Sequence, residues 1–134
     1  MASGIPGLDH VTGGGLPAGE VTLLAGATGV GKTVLAGQFL AVGITGHGEP
    51  GVFVSLAEAP GKVRRFMATF GWDVAAWEAA DTWEFVDGSP SGEHEIVVGD
   101  NFDFTPLVAR VAAAVHQIGA KRVVFDSLSH LLFR

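Results

Sequence analysis

The chain has 134 residues, enough for one domain with a buried core, and 48% are hydrophobic against 16% charged, which excludes a disordered chain. A formal charge of -6, with no basic run beyond Lys62-Arg64-Arg65 and Lys121-Arg122, gives no support to a nucleic-acid groove. Cysteine is absent, no apolar run approaches the ~20 residues of a membrane span, and residues 1–7 lack the regions of a signal peptide, so a cytoplasmic protein is expected.

Residues 1–20 are rich in glycine and proline and read as a loop with one helical turn near Leu8 to Thr12. Strand-like and helix-like segments then alternate, which predicts an α/β fold with a parallel sheet. Val21 to Ala25 is a short apolar run that meets glycine at once, a buried strand. Lys32 to Ile44 is a helix, with Leu35, Phe39 and Val42 expected to face the sheet. Gly51 to Leu56 is a second buried strand. Gly61 to Phe70 is a helix whose Val63, Phe66, Met67 and Phe70 form one apolar stripe. A short helix is expected over Asp73 to Ala80, a strand over Thr82 to Val86, and a long loop from Gly88 to Asn101. Phe104 to Ile118 is a helix with Val108, Val111, Val115 and Ile118 on one face, ended by Gly119. Arg122 to Phe125 is the last strand.

Gly26-Ala27-Thr28-Gly29-Val30-Gly31-Lys32-Thr33 matches G-x-x-x-x-G-K-[ST], between a predicted strand and a predicted helix. Glycines let the backbone curl so that N–H groups point at phosphate oxygens, and the helix N-terminus adds partial positive charge. Lys32 supplies a cation for the β- and γ-phosphates, and the Thr33 hydroxyl is a hard oxygen ligand for Mg²⁺. An ordinary glycine-rich turn with a coincidental Lys-Thr would arise roughly once in a few hundred chains of this length. Val123-Val124-Phe125-Asp126 is an apolar strand ending in an acid, as in a Walker B segment, where Asp126 holds the Mg²⁺ shell through water. Alone, such an Asp is as readily a turn cap.

Nucleotide hydrolysis also needs a group to position the attacking water. The residue after Asp126 is Ser127, so no glutamate follows the Walker B acid. Glu58, in "VSLAEAP", sits at the end of a predicted parallel strand, where ligand sites of open α/β sheets lie. It is a candidate base, and equally an acid facing solvent or capping the helix that begins near Pro60.

With these residues in view, the chain resembles the RecA-type P-loop ATPases, and among them the KaiC-like ATPases. The resemblance is carried by "SGIPGLDHVTGGGLPAGEVTLLAGATGVGKT", "FGWDV" at 70–74, the loop at 89–103 and "GAKRVVFDSLSHL" at 119–131. It implies a P-loop core of parallel sheet and flanking helices, with Mg²⁺ and ATP as cofactor and substrate. It implies phosphate contacts from Gly29, Val30, Gly31, Lys32 and Thr33, extending to Val34, and nucleotide contacts at Thr28 and near Thr69. Members of that family form rings with ATP between neighbours, so a homo-oligomer is expected of the full-length parent. The family's domain continues for about another hundred residues. The chain is therefore expected to be the N-terminal part of one domain, 1–134, stopping after the Walker B strand.

The family carries two adjacent glutamates where this chain has Ala57 and Glu58, and the first is taken as the base. Slow ATP hydrolysis is accordingly the first expectation. A non-hydrolysing, ATP-dependent assembly module is the alternative, and a recombinase-like DNA-binding ATPase fits the fold but not the charge. Trp72, Trp77 and Trp83 read as core packing around the third strand. Glu93-His94-Glu95 lacks metal-ligand spacing, and Asp100, Asn101 and Asp103 lack the pattern of a calcium loop.

Overall fold

A computed structural model describes residues 1–22, 31–89 and 105–127. Its elements run α1 (Pro6–Val11), α2 (Lys32–His47), β1 (Gly51–Ser55), α3 (Pro60–Ala68), α4 (Val74–Ala79), β2 (Trp83–Asp87), α5 (Thr105–Ile118) and β3 (Arg122–Asp126). The strands form a parallel sheet in the order β2-β1-β3. The α/β class is therefore as expected. Of the predicted strand at 21–25, Val21 and Thr22 lie outside any strand and Val21 is 97% exposed. Its remaining residues fall outside the described ones, as do most of the 88–101 loop, Glu93-His94-Glu95 and Asp100 to Asp103.

β1 is central and buried along its whole length, as expected of a parallel strand covered on both faces. Alternation splits its side chains between two cores. Val52, Val54 and Leu56 join Val86, Leu107 and Ala114 beneath α5. Phe53 joins Leu40, Val63, Met67, Val74 and Trp83 beneath α2, α3 and α4. Trp83 is 1% exposed and stacks on both Phe53 and Trp77 at 5.9 Å between ring centroids, with Trp72 and Trp77 partly buried against the same core.

Local chemistry sets the helix ends. Pro60 begins α3, where a missing N–H costs nothing. The Asp73 carboxylate caps α4 by accepting from the Ala76 N–H at 3.2 Å. Gly119 takes φ +65° beyond α5, a left-handed turn natural to glycine, and Ala120 N–H closes on Val115 O at 2.9 Å.

Three helix faces differ from the periodic reading. In α2 the fully buried positions are Gly37, Leu40, Ala41 and Gly43, while Leu35, Phe39 and Val42 are only partly buried. Apolar residues surround this helix on all sides, so spacing alone could not select a face. Leu40 seats against Gly51, where an added Cβ would lie 2.6 Å from Leu40 Cδ2. In α3, Val63 and Met67 are buried but Phe66 stands 41% exposed; the helix stops at Ala68, short of the expected Phe70, which is 44% exposed and packs edge to face on Phe66. In α5, Leu107 is buried and Val108 is 62% exposed, while Val111, Val115 and Ile118 pack as expected.

Candidate functional site

The carboxyl ends of the three strands lie side by side. Ser55 is the register partner of Asp87 on one side and of Asp126 on the other. The Leu56 N–H donates to Asp126 O at 2.8 Å and the Gly88 N–H to Ser55 O at 2.9 Å, so the ladder continues past the strands. This edge is where open α/β sheets bind ligands.

α2 delivers the end of the G-x-x-x-x-G-K-[ST] motif to that edge. Gly31 precedes the helix as its N-cap at φ +95°, a conformation open to glycine. A helix N-terminus of this kind carries partial positive charge and suits an anion. Lys32 and Thr33 are the first two helical residues, both partly buried. Thr28, Gly29 and Val30 fall outside the described residues; Val34, one turn in, is partly buried.

The Thr33 hydroxyl donates to Asp126 Oδ2 at 2.7 Å. Residues 93 positions apart, singled out separately from two motifs, are therefore in contact. Their oxygens are a hydroxyl and a carboxylate, the hard donors that Mg²⁺ takes. No cluster of three or more His, Cys, Asp or Glu able to hold a metal occurs among the described residues. A site built on one hydroxyl and one carboxylate fits a small divalent ion that draws its other ligands from phosphate and water.

Glu58 lies in the bend between β1 and α3, exposed, with Oε1 3.4 Å from Lys62 Nζ one helical turn on. Ala57 beside it is partly buried. Thr69 is exposed beyond the last turn of α3, and its hydroxyl donates to Phe66 O at 2.6 Å.

Sequence reasoning passed over Arg122. Its side chain is 1% exposed at the head of β3, bonded to Ala2 O, Phe39 O and Glu49. The available signal was an arginine opening an apolar strand. Also unforeseen is the Ser3–Asp9 knot, in which the Ser3 hydroxyl donates to Asp9 Oδ1 at 2.6 Å and the Ser3 and Gly4 N–H groups reach the same carboxylate. The Ser3 hydroxyl bond foremost, then its N–H, holds the Asp9 carboxyl below the usual 3.8.

The family model described as "ATPase: KaiC" matches residues 1–134. Over 98% of its length the chain is 44% identical to a "Circadian clock protein KaiC3" of Synechocystis sp., covering 26% of that protein. It is 40% identical, over 96% of its length, to the "Circadian clock oscillator protein KaiC" of Prochlorococcus marinus (strain MIT 9313), again covering 26%. A UPF0273 protein of Pyrococcus horikoshii is 42% identical over 98% of the chain, which covers 55% of it. The chain thus spans about a quarter to about half the length of these relatives.

Proposed function

The chain belongs to the KaiC ATPase family, and on that premise we propose that it binds Mg·ATP at the carboxyl edge of its sheet and hydrolyses it slowly. The observation that carries this reading is the 2.7 Å bond between Thr33 and Asp126. It joins the two motif residues whose oxygens would hold the ion. When bound, Mg²⁺ would neutralise charge on the phosphates. Lys32 would add a mobile cation beside the phosphates, and the N-terminus of α2 would add its partial positive charge. Gly29, Val30 and Val34 complete the proposed phosphate contacts, with Thr28 in the loop and Thr69 near the nucleotide. Family membership also supports a ring-forming homo-oligomer for the full-length protein.

Glu58 is the proposed base, acting on the attacking water. The test is phosphate release by the purified protein beside its Lys32→Ala and Glu58→Gln variants. Lys32→Ala should abolish nucleotide binding, and Glu58→Gln should bind but turn over more slowly. Equal rates in all three would defeat the enzymatic reading.

One observation favours a second reading, a nucleotide-dependent assembly module without appreciable turnover. Position 57 is alanine, and the neighbouring Glu58 is exposed and ion-paired with Lys62. Binding without turnover in the native chain, with turnover gained in Ala57→Glu, would select it.

A further inference from the structure

We propose that Arg122 is a positioning residue for this site, clamping α2 along β3 so that Thr33 and Asp126 meet at the other end. The inference deepens the Mg·nucleotide reading and rests on it for the ligand; the clamp itself is a set of contacts between protein groups.

Strand alternation places Arg122, Val124 and Asp126 on one face of β3, and Val124 packs in the core beneath α2. Arg122 and Asp126 stand about 13 Å apart along that face. Thr33 and Phe39 stand about 9 Å apart along α2. Helix and strand therefore share two polar contacts on either side of the apolar packing around Val124. At one, the Thr33 hydroxyl donates to Asp126 at 2.7 Å; at the other, Arg122 Nη1 donates to Phe39 O at 2.9 Å. A single polar contact would let the helix pivot over the sheet, and a second one most of the strand's length away removes that freedom.

The rest of the guanidinium is built in around this contact. Cζ lies 4.6 Å from the centroid of the Phe39 ring, Nη1 also donates to Ala2 O at 2.6 Å, and Nη2 reaches Glu49 Oε1 at 3.1 Å. A buried charge costs stability unless paired, and here Glu49 and two carbonyls take its two Nη groups, while the buried Nε has no hydrogen-bond partner among the described residues. α2 makes room for it with Gly43, where an added Cβ would come 2.6 Å from Arg122 Cδ and 2.7 Å from Nε. A lysine could not reproduce the arrangement, because it has neither the planar fork nor the flat face.

A plain core anchor would support the whole fold evenly. A positioning residue acts chiefly on the Mg²⁺-dependent part of nucleotide binding. The experiment measures ADP affinity of the full chain, with Mg²⁺ and with chelator, for the native protein, Arg122→Lys, Glu49→Gln and Gly43→Ala. It also measures amide exchange at Leu35, whose N–H donates to Gly31 O at 3.0 Å, without nucleotide. Arg122→Lys should lose about 10-fold in affinity with Mg²⁺ but less than about 2-fold with chelator, and Leu35 should exchange faster. Gly43→Ala should follow it, and Glu49→Gln should show a smaller loss of the same kind. Equal losses with and without Mg²⁺ would overturn the proposal. Should Arg122→Lys fail to fold, the Glu49 and Gly43 variants decide the matter by the same ratio. If the native chain binds no ADP, the nucleotide reading fails, and exchange then judges the clamp: faster exchange at Leu35 with Phe53 in β1 unchanged retains it, while unchanged exchange at Leu35 or equally faster exchange at both overturns it.

Discussion

At the scale of single residues, Thr33 and Asp126, singled out from two separate motifs, meet in one hydrogen bond. Asp126→Asn should weaken Mg·nucleotide binding by about 10- to 100-fold, read by titration with and without Mg²⁺. Glu58 is legible as a strand-end acid, but its pairing with Lys62 is not, because that depends on where α3 starts. Both partners are largely exposed, so Lys62→Ala should change stability by less than about 0.5 kcal/mol in denaturant unfolding. Two carboxylates should show opposite pH responses. Asp9 is held below 3.8 by Ser3, so its stabilisation is present above that pH and lost as pH falls through the lower folded value. Asp9→Asn should flatten that acid response, read by exchange at the Ser3 amide. Glu84 is raised above 4.5, first by burial and then by Asp81, and its buried Oε2 has no hydrogen-bond partner among the described residues. Its favourable protonated state is complete below 4.5 and lost as pH rises through the raised folded value. Glu84→Gln should therefore raise Tm at pH 7, and a lower Tm would contradict this assignment.

At the scale of elements, existence and type were read correctly for the described helices from α2 to α5 and for three strands, with ends within a few residues. The facing sides were less legible. α5 carries Leu107 and Val108 side by side, either of which could begin an apolar stripe. Packing against Val52, Val54 and Leu56 selects Leu107. Leu107→Ala should then cost about 2–5 kcal/mol, while Val108→Ala should stay within about 0.5 kcal/mol in the same unfolding experiment. The stripe expected over 61–70 shows the reverse case: four apolar residues at helical spacing, of which α3 holds three and only Val63 and Met67 find a core. An amphipathic pattern names a side of the helix, but the neighbouring elements decide how much of it is covered.

At the scale of the molecule, three parallel strands bring residues 55, 87 and 126 to one edge, and α2 points its first turn at that edge from the motif side. A ligand held there should stabilise the whole fold by mass action. Mg·ATP at about 100 times its Kd should add about 2.7 kcal/mol. A thermal melt should show the rise in the native protein and none in Lys32→Ala.

What the sequence by itself determined were the features written locally: the α/β alternation, the helix ends at Pro60, Asp73 and Gly119, the phosphate-loop motif, and the acid closing the last strand. Each depends on neighbours in the chain, so spacing and residue type suffice. Only the tertiary structure decided which faces are buried, which partner Glu58 takes, and that Arg122 is an interior charge bonded to residues 2, 39 and 49. Those outcomes depend on groups far apart in sequence and close in space. An arginine beside a lysine reads as surface until a glycine, an aromatic ring and a carboxylate from elsewhere enclose it.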